Sequence, residues 1–194
     1  MRRRTASANW RKPIKWNRDA IREGIRRRVF CASLADVFDN QVPPQWRGEL
    51  WHLIRTTPGL DWLLLTKRPQ NIAKMLPPDW GAGWPNVWLG MTGENQPEFD
   101  RRWTHLRDIP AVVRFVSYEP ALGPLQLPRD GRLPHWIICG GESGAGARMM
   151  DPAWARDLRN ACAFSGVAFF MKQMSRKLPI PDFLMLREFP ANAA

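Results

Sequence analysis

The residues best suited to chemistry sit at the ends of short apolar runs. The densest group is Gly140-Gly141-Glu142-Ser143-Gly144 followed by Arg148, which directly succeeds the apolar run 136–139. It sets a carboxylate, a hydroxyl and a guanidinium in a backbone able to approach a ligand closely, because glycine lacks a Cβ. Arg148 and the loop N–H groups could hold a phosphate or carboxylate. The same glycines would equally serve a tight strand-to-helix turn. Five further runs end alike: 29–33 before Asp36 and Asp39, 62–66 before Lys67 and Arg68, and 87–92 before Glu94 and Asn95. Run 112–117 precedes Glu119, and 167–171 precedes Lys172 and Gln173. Carboxylates brought together in pairs could exchange protons or hold a divalent cation.

Spacing removes several chemistries. The Gly140 loop is neither a dinucleotide-binding G-x-G-x-x-G nor a P-loop. Ser143 resembles the nucleophile elbow only superficially, since the second glycine falls at the wrong offset. Its candidate bases also fail: His52 and His105 lie on expected helices, and His135 precedes a strand. No histidine cluster supports zinc, so no metal ligand and no catalytic residue is assigned. Cys31, Cys139 and Cys162 are far apart with no C-x-x-C, which suits reduced, buried thiols in a cytoplasmic protein. No run is long enough to span a bilayer, and the arginine-rich N-terminus lacks the apolar stretch of a secretory signal.

The elements that must position these residues repeat. Six expected strands begin near 29, 62, 87, 113, 136 and 167, a spacing that fits βα units. They read as apolar runs without strict alternation, as strands buried on both faces do. Helices are expected from Pro44, with Trp46, Leu50, Leu53 and Ile54 on one face, from Pro97 over Phe99, Trp103 and Leu106, and from Asp151 over Trp154 and Leu158. A short helix reaches Leu76, and residues 119–135 read as loop. Parallel strands would share one C-terminal rim, where both barrels and open α/β sheets bind ligands.

The formal charge of +11 is local. Residues 1–28 hold eleven Lys and Arg against Asp19 and Glu23, a net of +9; the rest of the chain has eighteen basic and sixteen acidic residues. With Trp10 and Trp16 interleaved, this leader could bind nucleic-acid phosphates or be a solvated helix face. Its sparse apolar periodicity predicts irregular, then partly helical backbone. The reading is therefore a basic leader or linker over 1–28, a βα-repeat barrel domain over 29–175, and a C-terminal tail over 176–194 packed on that domain.

Several segments together carry a family resemblance: Asn9-Trp10-Arg11-Lys12-Pro13, Lys15-Trp16-Asn17, Val29-Phe30-Cys31-Ala32-Ser33-Leu34-Ala35-Asp36-Val37-Phe38-Asp39 and Leu65-Thr66-Lys67-Arg68-Pro69. Further matches are Asn86-Val87-Trp88-Leu89-Gly90, Glu94-Asn95-Gln96, Ser117-Tyr118-Glu119-Pro120, the Gly140–Gly144 loop, Lys172-Gln173 and Arg187-Glu188-Phe189-Pro190. From about residue 9 to 190 the chain resembles the C-terminal two-thirds of the phage-associated three-Cys-motif family, of unknown function and radical-S-adenosylmethionine-like. The resemblance implies a partial TIM-like (βα) barrel of about six parallel strands whose first, cluster-bearing strand is missing. It also implies S-adenosylmethionine and a [4Fe–4S] cluster in the complete family member, and a dedicated three-Cys-motif partner protein. The cluster's cysteine loop would lie upstream of this chain, which would then be inactive alone and bind neither group by itself. Cofactor and substrate contacts are expected at Asp36, Lys67, Arg68, Glu94, Asn95, Glu119, Gly140, Gly141, Glu142, Ser143, Arg148, Lys172 and Gln173. Met149 replaces a usual proline, and Met174-Ser175 a usual Trp-Gly. The alternative is a non-catalytic phage accessory module that binds nucleic acid or a partner protein through the basic leader.

Overall fold

In a computed structural model of the chain, residues 3–31 and 35–191 are described. Six parallel strands form one sheet in the order of the chain: β1 (Arg27–Cys31), β2 (Leu60–Thr66), β3 (Val87–Thr92), β4 (Val113–Tyr118), β5 (Trp136–Gly140) and β6 (Ala168–Gln173). The sheet is a half-barrel flanked by helices. Between the strands lie α2 (Pro44–Arg55), α3 (Ile72–Met75), α4 (Gln96–Leu106) and α5 (Pro152–Ser165); α1 (Ser7–Glu23) precedes the sheet. As expected, no helix joins β4 to β5.

The pleat sorts side chains onto two faces. The outer face carries Trp62, Leu64, Leu89, Met91, Val116, Ile137 and Phe169, packed against Ile54, Phe99, Trp103 and Leu158 of the helices. The inner face carries Leu63, Trp88, Phe115, Trp136 and Ile138. Gly90 makes room there: a Cβ on it would lie 2.2 Å from the Phe115 ring. Trp136 meets Trp88 edge-on at 5.9 Å between centroids and Phe189 at 5.3 Å. Arg28 closes this aromatic floor, 4.0 Å above the Phe189 ring.

Three expectations change. The leader is not irregular: α1 is a 17-residue helix ended by Gly24 in the left-handed conformation. Pro13 and Ala20 are buried, and the Asn17 side chain accepts the Gly59 N–H at 2.8 Å. Small and polar residues make that buried stripe, so no apolar period announced it. Second, β1 begins two residues early, and Ser33 and Leu34 lie outside the described residues. Third, Lys172 and Gln173 belong to β6 instead of following it. The tail lies against β5 and β6. Glu188 donates its N–H to Phe169 O, Leu186 O accepts the Met171 N–H, and Trp136 donates its indole N–H to Glu188 O. These bonds occupy the outer edge of β6.

Candidate functional site at the sheet rim

Two matching motifs face each other at the rim. Thr92 and Ser117 are registered partners on β3 and β4, and each precedes a glutamate by two residues. That spacing returns the side chain to the same face of an extended chain. Glu94 receives hydrogen bonds from Lys67 Nζ at 2.5 Å and Thr92 Oγ1 at 3.4 Å. Glu119 receives one from Ser117 Oγ at 2.8 Å and lies 3.0 Å from Lys172 Nζ. Lys67, just past β2, and Lys172, on β6, thus each serve one carboxylate.

Arg102 makes the two sites unequal. This α4 guanidinium is buried and reaches Glu94 Oε2 at 2.5 Å, the Thr92 carbonyl at 3.0 Å and Glu98 at 2.6 Å. Burial alone would raise the Glu94 carboxyl, but hydrogen bonds from Lys67, its own backbone N–H and Arg102 outweigh it and hold the group below the usual value. Glu119 has no arginine partner among the described residues. Its carboxylate lies over Gly140, where a Cβ would come within 2.5 Å of Oε1. The close approach anticipated at the glycines is therefore made by the protein's own groups: Glu119 over Gly140, and the Ser175 backbone 2.3 Å from a Cβ built on Gly141.

The remaining residues divide. Asp36 ties the loop after β1 to the end of β2, accepting from Thr66 Oγ1 at 2.7 Å, the Lys67 N–H at 3.2 Å and Arg68 at 3.0 Å. Gln173 donates to the Gly141 carbonyl at 2.8 Å. Glu142 and Arg148 pair with each other through two side-chain hydrogen bonds and a backbone one, lowering the carboxyl to about 2. Arg148 is thereby committed within its own loop. Ser143 is exposed and has no hydrogen-bond partner among the described residues. Asn95 caps α4, accepting from the Glu98 N–H at 3.0 Å.

Sequence reasoning missed Thr92, Ser117, Ser175 and above all Arg102. The signal for Arg102 was present: it falls between Phe99, Trp103 and Leu106 on the buried face of α4.

The family described as "Protein of unknown function (DUF5131)" matches residues 1–180. The chain belongs to that family. No curated protein matches the chain, and no solved structure does. In this DUF5131 member no helix is long and apolar enough to cross a membrane, among the described residues. No group of three His, Cys, Asp or Glu among them could hold a metal ion. The cysteines do not fit an iron–sulfur cluster. Cys139 and Cys162 are buried, and burial pushes the Cys162 thiol up to about 12 and raises that of Cys139 as well. Cluster ligation needs converging thiolates.

Proposed function

We propose that the chain is the cofactor- and substrate-binding portion of a TIM-like, radical-S-adenosylmethionine-related phage protein, working in the cytoplasm beside a three-Cys-motif partner. Ligands bind at the C-terminal rim of the sheet. The observation that carries this reading is the Glu119–Lys172 pair on the inner face, next to Gly140. It is a carboxylate and an ammonium at hydrogen-bond distance with the lysine half exposed, beside a second pair that Arg102 locks.

Such a rim suits the zwitterionic end of an amino-acid cofactor: Glu119 would take the ammonium and Lys172 the carboxylate. Bound S-adenosylmethionine supplies an activated carbon on a sulfonium. The chain's own residues bind and orient it, with Ser117 holding Glu119 in place. Cys31, Cys139 and Cys162 are free thiols that do not suit cluster ligation, so the part of this chain is to bind and orient the cofactor.

The Glu119–Lys172 pair is complete without a cluster, so the chain alone should bind the cofactor, unlike the expectation that it binds none by itself. Calorimetric titration of the full chain with S-adenosylmethionine tests the reading. Saturable binding is expected, weakened roughly tenfold or more in Glu119→Gln, because loss of a charged partner costs about 1.5–3 kcal/mol. Absence of binding, or binding unchanged in Glu119→Gln and Lys172→Met, would overturn it.

A further inference from the structure

A concavity opens at the β1–β2 end of the rim. A cavity of about 920 Å³ lies between the N-terminal part of α1, α2 and the ends of β1 and β2, with Trp10, Trp46, Arg47 and Arg68 on its wall. Five of its lining side chains are cationic and two, Asp36 and Asp39, are carboxylates. Its size is that of a small-molecule site. Arg4, also on the wall, lies 4.1 Å over the Trp10 ring. The Trp10 indole N–H is enclosed and has no acceptor among the described residues. Cations and indoles together fit a ligand that is both anionic and aromatic.

From this cavity the charge continues along α1. Arg11, Lys15, Arg18 and Arg22 stand at i, i+4, i+7 and i+11, which is one helical face. That face is opposite the buried Pro13 and Ala20, and all four residues are exposed. Arg22 pairs with Asp19 and Glu23, whereas Arg11, Lys15 and Arg18 have no ion-pair partner among the described residues. Residues four apart on a helix rise about 6 Å, a spacing that successive phosphates of an extended strand can match. A cationic track beside aromatic side chains is how unpaired nucleic-acid strands are held without sequence readout.

We infer that this DUF5131 chain binds single-stranded nucleic acid, its phosphates along the exposed face of α1 and one base in the cavity beside Trp10. A duplex keeps its bases stacked and cannot offer one to the cavity. The inference is independent of the cofactor at the rim.

Fluorescence anisotropy of the full chain with labelled oligo-dT and oligo-U tests it. Binding to at least one is expected at 50 mM salt, with competition by unlabelled single strand exceeding that by duplex. The triple variant Arg11→Gln, Lys15→Gln, Arg18→Gln should bind roughly tenfold or more weakly and lower the slope of log K against log salt by about 2, at ~0.7 per phosphate contact. Trp10→Ala should weaken binding about five- to 100-fold with the salt slope unchanged, and Trp10→Phe should restore most of it, which separates stacking from misfolding. No binding at 50 mM salt, equal competition by duplex or by polyglutamate, or full affinity in the triple variant would each overturn the inference. Failure of S-adenosylmethionine to bind would not, since Glu119 and Lys172, which carry that reading, do not line this cavity.

Discussion

Glu94 and Glu119 occupy equivalent places on neighbouring strands, each two residues past a hydroxyl and each facing a lysine, yet they do different work. Glu94 is held from both sides, by Lys67 across the rim and by buried Arg102 from the helix layer. Glu119 has Ser117 and a half-exposed Lys172, and rests against a glycine. The difference arises from one helix residue. A carboxylate with a buried cation behind it is a structural clamp joining α4 to the sheet; one with a half-exposed ammonium in front can exchange that partner for a ligand. A matching motif in sequence therefore does not imply a matching role.

The largest effect should come from removing the residue that separates the two. Arg102→Ala leaves Glu94 enclosed with its inner partner gone, and deletion of one member of a buried ion pair costs about 3–5 kcal/mol. Denaturant unfolding should show that loss, while the Glu119 site keeps its partners. A loss under about 1 kcal/mol would mean that Glu94 is as exchangeable as Glu119, and the contrast would fail.

Gly140→Ala tests the second site by steric means. The new methyl would overlap the Glu119 carboxylate, so either the side chain leaves Lys172 or the backbone shifts. Overpacking of this kind costs about 1–3 kcal/mol. S-adenosylmethionine binding should fall as it does in Glu119→Gln. Retained binding would show that the position of Glu119 over Gly140 is incidental.

How much of this was legible in the chain depends on which layer a residue belongs to. Strands buried on both faces must be apolar throughout, so runs such as 62–65 and 87–89 identified themselves, and the polar residue ending each run marked the rim. The helix layer was harder. Arg102 looks like any solvated helix cation until Phe99 and Trp103 are seen to carry its face inward, and its bond to Glu94 spans eight positions, outside the neighbour spacing of a helix. The stripe that α1 turns inward is buried Pro13 and Ala20 with half-buried Asn17, which accepts the Gly59 N–H; none is a large apolar residue that a helical period would reveal. Arg148 read as a ligand cation because its spacing from Glu142 belongs to no regular element. Only the folded loop shows the two saturating one another.

Acid should distinguish the two glutamates with the smallest change. The folded protein holds the Glu94 carboxyl below its ordinary value of 4.5. As pH falls, the unfolded chain therefore binds that proton first. The stability contributed by Glu94 is complete above about pH 4.5 and declines as pH drops toward and through the lowered folded value. Urea unfolding followed from pH 7 to pH 3 should show this acid limb in the natural chain. Glu119→Gln should lie within about 1 kcal/mol of the natural chain at pH 7, as expected for a pair whose lysine is solvated, and should keep the limb. In Glu94→Gln stability should drop at pH 7 and the limb should become shallower, because one lowered carboxyl is gone while Glu142 still titrates. If the limb instead flattens with Glu119→Gln and persists with Glu94→Gln, the assignments are reversed: Glu119 is the clamp, and Glu94 is the carboxylate free to meet a ligand.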